Sequence, residues 1–139
     1  MIRRISSGGP WEDVVGYSRA VVAGPWVLVA GCTSTVGGEV LHEGDAYNQA
    51  RTALDIAVEA LTSAGASADD VVRTRMYVAD IADSEAVGRA HAELFKDIRP
   101  AATMVEVSAF IDGRMLVEIE VDAYSPALDD AGRQGGQAA

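Results

Sequence analysis

The stretch RPAATMVEV at residues 99–107 decides how the second half of the chain folds. Pro100 disfavours a helical conformation in the residue before it, so the helix that precedes it should end near Asp97. Residues 103–107 then predict a strand. After a turn that contains Gly113, residues 115–124 predict another strand. The stretch therefore closes a helical region and opens a pair of strands.

Two amphipathic helices are predicted upstream of this stretch. In residues 45–65, apolar side chains recur every three or four positions, with Asp45 as a plausible N-cap and Gly65 as a stop signal. A second helix begins at the cap offered by Asp83 and Ser84. Its predicted apolar face consists of Val87, Ala90, His91, Leu94 and Phe95.

Four more strands are predicted at residues 2–5, 17–22, 26–30 and 71–78, whereas residues 6–13 read as a loop. The strands at 17–22 and 26–30 make a hairpin around Gly24 and Pro25. In the fourth strand, every second residue is expected to face the helices. These residues are Val72, Thr74, Met76 and Val78. The order predicts an α+β fold, with two helices on one face of a mostly antiparallel six-stranded sheet.

The other face of this sheet is expected to need a partner. Apolar residues such as Val29, Met104 and Leu116 are too many for two helices to cover. We therefore expect copies of the chain to bury that face in a closed homo-oligomer. Residues 1–125 suit a single domain, and residues 126–139 are expected to be a disordered tail.

The net charge of -10 and the short apolar runs argue against two classes of partner. Nonspecific binding to nucleic acid depends on Lys and Arg, so nucleic acid is not expected. No apolar run is long enough to span a bilayer, so no membrane association is expected. Cys32 is the single cysteine, which excludes an internal disulfide and favours a cytoplasmic location. The histidines and Cys32 lack metal-ligand spacing, so no metal is expected.

Several short motifs resemble one family. They are GYSRAV at 16–21, AG at 30–31, DVV at 70–72, YVAD at 77–80, RPA at 99–101 with Thr103, and VEIE at 117–120. Together they resemble the Rid family, the reactive intermediate deaminases also called YjgF, over roughly residues 2–125. The resemblance implies a chorismate-mutase-like fold and a homotrimer whose sheets form a central barrel, with small-molecule clefts between subunits. It also implies hydrolysis of reactive enamines and imines without a metal or organic cofactor.

The family's site residues are only partly kept. Tyr17, Gly31 and Glu118 match, and the resemblance implies that Glu118 is the catalytic residue that positions the attacking water. The arginine that binds the substrate carboxylate as a bidentate fork is replaced by Ala102, next to Thr103. Such a charge pair contributes on the order of 2 to 5 kcal/mol when desolvated. The archetypal activity should therefore be weak or absent.

Further departures from the family leave some roles open. The family has glutamines where this chain has Arg19 and Cys32, and an asparagine of its active subgroup aligns with Gly88. The implied ligand-binding set is Tyr17, Arg19, Gly31, Cys32, Ala102 and Thr103. Arg19 could replace the lost cation or pair with an acidic residue. Cys32 could be a nucleophile if a cation lowered its pKa, or a small half-buried residue. Glu118 could instead make a salt bridge or a hydrogen bond to a neighbouring loop.

Two functions stay open at this point. One is hydrolysis of an imine, an enamine or a related carbonyl-nitrogen compound in a trimer cleft. The other is a module that binds or senses a small metabolite without chemistry. Ala102 favours the second function, or a changed substrate. Ribonuclease activity, a label often attached to the family, does not fit the acidic balance of the chain.

Overall fold

The computed structural model describes residues 1–129, and residues 130–139 lie outside the described part. The elements follow in the order β1 (Ile2–Ile5), α1 (Pro10–Val15), β2 (Ala20–Ala23), β3 (Trp26–Cys32), β4 (Thr35–Val36), β5 (Glu39–Val40), α2 (Ala46–Ala64), β6 (Val71–Val78), α3 (Ser84–Phe95), β7 (Ala101–Glu106) and β8 (Val117–Tyr124). Short 3-10 turns at Ala68–Asp70 and Ile81–Asp83 precede β6 and α3. Within residues 1–129, no helix has both the length and the apolar character needed to cross a bilayer.

Six of the strands form one sheet in the order β1-β2-β3-β8-β6-β7, while β4 and β5 form a separate hairpin. Neighbouring strands of the large sheet run antiparallel except β6 and β7, which are parallel. A parallel pair needs a crossover connection, and α3 supplies it between these two strands. The predicted α+β architecture with a mostly antiparallel six-stranded sheet is confirmed.

The long helix α2 begins and ends at the residues that the sequence indicates. The Asp45 side chain accepts a hydrogen bond from the Asn48 N–H at 3.0 Å, and Gly65 ends the helix with a φ of 93°. Gln49 is fully buried on this helix. Its Nε2 donates to the Arg114 carbonyl at 2.9 Å, and its Oε1 accepts from the Leu116 N–H at 2.8 Å. These bonds tie α2 to the segment that leads into β8.

The predicted loop at residues 6–13 is wrong, because α1 occupies Pro10–Val15. Pro10 stands at the start of the helix, where its missing N–H costs nothing and its fixed φ is already helical. Glu12 stands in the first turn and its side chain reaches back to the N–H of Gly9 at 3.2 Å. These two local signals identify the helix, and they outweigh the turn-forming residues around them.

Two predictions about strand faces are also wrong. Val72 is 43% exposed, because the pairing of β6 with β8 shifts register between Val71 and Arg73 and turns Val71 inward instead. Val29 is buried in the core, so it does not belong to the uncovered face. Met104 and Leu116 are partly buried and pack against that core. The apolar residues exposed on β3 and β8 are instead Trp26, Leu28 and Tyr124.

The start of the predicted tail is ordered. Residues 126–129 are helical, and Leu128 packs against the hydrophobic core. The Leu128 side chain covers Gly65, where a Cβ would lie 3.1 Å from Leu128 Cδ2. Leu128 is therefore a core contact that the lack of apolar periodicity concealed. The remainder of the predicted tail, residues 130–139, lies outside the described residues.

Candidate functional site

A bulge in β3 brings Gly31 against Glu118 of β8. The ladder between these strands pairs Val29 with Val121 and Cys32 with Ile119, so β3 carries one extra residue over this span. The Glu118 side chain lies directly over Gly31: a Cβ on Gly31 would lie 2.6 Å from Glu118 Oε1 and 2.8 Å from its Cδ. A Cβ at position 31 would therefore require the Glu118 side chain to move. The structure thus joins two of the predicted site residues.

The environment of Glu118 favours its protonated form. Burial raises the pKa of this carboxyl, the negative charge of Glu120 raises it further, and Arg19 partly opposes both effects. Glu118 and Glu120 both face away from the helices, because alternate residues of β8 are buried and partly exposed. A carboxyl with a raised pKa exchanges protons more readily near neutral pH, which is the property required of a general acid or base.

Arg19, the residue just before β2, reaches the same bulge. Its Nη1 donates to the carbonyl of Ala30 at 3.0 Å, to the carbonyl of Gly31 at 2.8 Å and to Cys32 Sγ at 3.2 Å. Its guanidinium carbon lies 5.8 Å from the centroid of the Tyr17 ring. Residues 1–129 place no carboxylate in ion-pair range of Arg19. The expected pairing of Arg19 with an acidic residue is therefore not seen, and Arg19 Nη1 is occupied by the chain itself.

Cys32 does not meet the condition for a nucleophile. Its side chain is 2% exposed, and its thiol donates to the Ala30 carbonyl at 3.3 Å. Burial raises the pKa of the thiol, and the opposing charge of Arg19 does not cancel that effect. The thiol is therefore the form present at neutral pH. Cys32 acts as a fully buried residue that fixes the bulge, rather than as the half-buried residue expected.

Tyr17 borders the site through a segment that the sequence interpretation missed. The N–H groups of Gly16 and Tyr17 both donate to the Glu12 carbonyl, at 2.8 and 3.0 Å, where α1 ends. The buried Glu12 carboxylate accepts from the Ser7 hydroxyl at 2.5 Å and from two backbone N–H groups. Burial alone would raise its pKa, but these hydrogen bonds outweigh burial and lower it. Glu12 therefore anchors the segment that carries Tyr17.

A groove of about 470 Å³ lies on the uncovered face of the sheet next to this cluster. Its charged and aromatic lining includes Arg4, Tyr17, Glu120 and Asp122, and Leu28 contributes apolar surface. Arg75 approaches the same carboxylates from β6, with Nη1 at 3.2 Å from Asp122 Oδ2 and at 3.8 Å from Glu120 Oε2. The uncovered face therefore carries both charged and apolar side chains, whereas the sequence predicted apolar residues there.

Ala102 and Thr103 lie apart from this cluster. They belong to the edge strand β7, and β6 separates them from β8. Ala102 pairs with Thr74 and Thr103 pairs with Arg75, so their side chains leave opposite faces of the sheet. Next to Ala102, Thr74 Oγ1 contacts His91 Nε2 at 2.8 Å, and burial lowers the pKa of His91. Within one chain, the predicted site residues thus divide into two groups.

No group of three or more His, Cys, Asp or Glu side chains in residues 1–129 has a geometry that could hold a metal ion.

Comparison with known proteins identifies the family. Residues 11–125 match the endoribonuclease L-PSP family. The chain belongs to this family. Protein SCO2049 of Streptomyces coelicolor is 48% identical over 92% of this chain and 96% of its own length. The 2-iminobutanoate/2-iminopropanoate deaminase of Homo sapiens is 31% identical over 94% of this chain and 96% of its own length.

Solved structures of the family share the fold. The crystal structure of Rv2704 from Mycobacterium tuberculosis, a member of the YjgF/YER057c/UK114 family, is 48% identical in sequence and superposes with a TM-score of 0.82. The match covers 89% of this chain and 99% of that chain. The resemblance to the Rid or YjgF family and the YjgF-type fold that it implies are both confirmed.

Proposed function

We propose that this protein hydrolyses a small imine or enamine in clefts between the subunits of a homotrimer. The observation that carries the proposal is the Glu118 carboxyl, which is held over Gly31 and has a raised pKa. Family relatives with at least 30% identity include enzymes named as a 3-aminoacrylate deaminase and a 2-iminobutanoate/2-iminopropanoate deaminase. This relationship supports a reaction of the same class.

In this proposal Glu118 carries one proton from water to the leaving nitrogen. The substrate reacts as the protonated imine (an iminium ion), which an enamine gives when its β-carbon takes a proton from solvent. The Glu118 carboxylate takes a proton from water as the water oxygen bonds to the iminium carbon, and the electron pair of the C=N π bond moves to nitrogen, which gives a neutral carbinolamine. The Glu118 carboxyl then gives its proton to that nitrogen, the C–N bond breaks with its electron pair leaving on ammonia, and the hydroxyl loses its proton to solvent to give the carbonyl compound. The reaction uses one water and needs no cofactor.

The way the site is divided supports the proposed homotrimer. Glu118 and Gly31 lie on one part of the sheet, whereas Ala102 and Thr103 lie on its exposed edge. A neighbouring copy could bring its β7 to the groove and complete the cleft. Apolar side chains such as Leu28, which is 47% exposed, would then be buried. Native mass spectrometry tests this assembly, because a monomer would contradict it.

Ala102 supports a changed substrate, because it offers no cation for a carboxylate. The same absence supports the second candidate, a module that binds a small metabolite without chemistry. RNA cleavage is not proposed, since the chain carries a net charge of -10. The cytoplasm is the location we expect for either function.

A kinetic comparison tests catalysis. Ammonia release is measured from freshly generated imines, both with and without a carboxylate, for the wild type, Glu118→Gln and Glu59→Gln. We expect Glu118→Gln to lose about a hundredfold or more in kcat, because it cannot exchange the proton. Glu59 is exposed on α2, so its variant should match the wild type. Equal rates for all three proteins would exclude Glu118 as the catalytic residue, and ligand binding without turnover would favour the binding module.

A further inference from the structure

The bulge of β3 is the feature that allows Glu118 to meet Gly31, and Arg19 is the side chain that holds it. An extra residue between Val29 and Cys32 breaks the regular ladder with β8. The carbonyls of Ala30 and Gly31 and the Cys32 sulfur all accept from one nitrogen of Arg19, at 3.0, 2.8 and 3.2 Å. The two N–H groups of this nitrogen are thus shared among three acceptors on consecutive residues.

The backbone around Arg19 fixes where this donor group lies. Ala20 pairs with Val29, and the Ala30 N–H donates to the Arg19 carbonyl at 2.9 Å, so β2 and β3 stay in register up to the bulge. The Arg19 side chain is partly buried and its guanidinium lies beside the Tyr17 ring. A shorter side chain could not reach the same three acceptors, and a neutral side chain would not offer them a charged donor.

We propose that Arg19 is a positioning residue, which holds the β3 bulge so that Gly31 presents a Cβ-free surface to Glu118. This role replaces the expectation that Arg19 binds a ligand. It rests on the proposed function only in that Glu118 is taken as the acid-base group. Arg19 acts on Glu118 in two ways: its hydrogen bonds fix the surface on which the carboxyl lies, and its charge opposes that of Glu120.

Three variants test the proposal. Arg19→Met removes both the charge and the hydrogen bonds, whereas Arg19→Lys keeps the charge on a shorter side chain whose nitrogen does not reach the position of Nη1. Arg73→Met is the matched control, because it removes the same charge from β6 at a position paired with Asp122, near the other end of β8 from Glu118. None of the readouts requires turnover, so the result stands whether or not the protein hydrolyses an imine.

Hydrogen exchange and thiol alkylation report on the bulge. In Arg19→Met and Arg19→Lys, we expect amide exchange at residues 30–32 and alkylation of Cys32 by iodoacetamide to accelerate about tenfold, because the hydrogen bonds to a charged donor are lost. Arg73→Met should match the wild type. If Arg19→Met does not fold, Arg19→Lys alone decides the outcome.

Carbon-13 titration of the Glu118 carboxyl reports on its electrostatics. We expect a higher pKa in Arg19→Met than in the wild type, with part of the shift reversed in Arg19→Lys, since the lysine restores the charge. The proposal is overturned if exchange, alkylation and the Glu118 titration are all unchanged. A variant that loses only affinity for a small-molecule ligand, with the bulge intact, would also overturn it, because Arg19 would then be a ligand-binding group.

Discussion

The two groups of site residues, one where β3 pairs with β8 and the other on the edge strand β7, are constrained very differently. In the first group, Gly31 and Glu118 are in such close contact that a side chain at position 31 would displace the Glu118 side chain. On β7, Ala102 is exposed and has a strand neighbour on one side only. One group is thus fixed by packing, and the other is free to vary within a single chain.

This difference shows how one fold can keep its chemistry and change its ligand. The bulge, the glycine and the carboxyl depend on each other, so a change in one disturbs the others. A side chain on the exposed edge strand can change size and charge without a cost in the core. In the proposed function, the contact between Gly31 and Glu118 would supply the chemistry and β7 would select the substrate.

The largest effect is expected from Gly31→Ala. The new Cβ would lie within 3.0 Å of three Glu118 side-chain atoms, so Glu118 must turn away. A displacement of about 1 Å at a catalytic group can lower the rate on the order of a hundredfold. The stability cost should be about 1–2 kcal/mol, because the end of the Glu118 side chain can move. Imine hydrolysis and urea unfolding measure the two effects.

Gly113→Ala is the matched control for that glycine. A Cβ at residue 113 meets nothing within 4 Å, and the residue lies in the loop between β7 and β8. We expect activity to be unchanged and stability to change by no more than about 0.5 kcal/mol, because the new methyl group meets no neighbour. If the two variants behave alike, the contact between Gly31 and Glu118 does not constrain the site.

A smaller effect is expected from Ala102→Arg. The guanidinium would supply a bidentate partner for a substrate carboxylate, so kcat/KM for carboxylate-bearing imines should rise about tenfold. Imines without a carboxylate should not benefit. Ala92→Arg serves as the control, because it puts the same charge on the exposed surface of α3. An Ala102→Arg variant that is no better than the wild type would contradict our account of the missing fork.

Two further effects concern pH, and they have opposite signs at two carboxyls. The pKa of Glu118 is raised in the folded state, so its contribution to stability is present below the unfolded value near 4.5 and is lost as pH rises through the folded pKa. Glu118→Gln should therefore be more stable than the wild type at pH 7, by less than about 1 kcal/mol, because the carboxyl is partly exposed. This gain should disappear below pH 4.5.

Glu12 should show the reverse behaviour. Its pKa is lowered, so its contribution is present above the unfolded value near 4.5 and is lost as pH falls through the folded pKa. Glu12→Gln should lose roughly 1–2 kcal/mol at pH 7, because hydrogen bonds to a charged acceptor are weakened. Urea unfolding of both variants from pH 3 to pH 8 gives the free energy of unfolding of each variant as a function of pH. Parallel curves would show that the two carboxyls do not differ in environment.

Local signals were sufficient for part of the fold. Asp45 and Gly65 bound α2 where the sequence predicts, because a helix cap depends only on residues within one turn. Pro10 and Glu12 carried an equally local signal for α1, which the surrounding Ser and Gly residues obscured. The motifs that match the Rid family also lie within short segments, and for this reason the sequence alone identified the family and its fold.

Strand pairing determined which strand residues face the core and which residues meet at the site. The faces of Val29 and Val72 could not be predicted, because each depends on where a distant strand sets the register and on where a bulge interrupts it. The same holds for the contact of Gly31 with Glu118 and for the hydrogen bonds that Arg19 donates to the bulge. The sequence by itself specified which residues are present and which elements they form. Only the tertiary structure decided which of them meet, because those contacts join strands that are far apart along the chain.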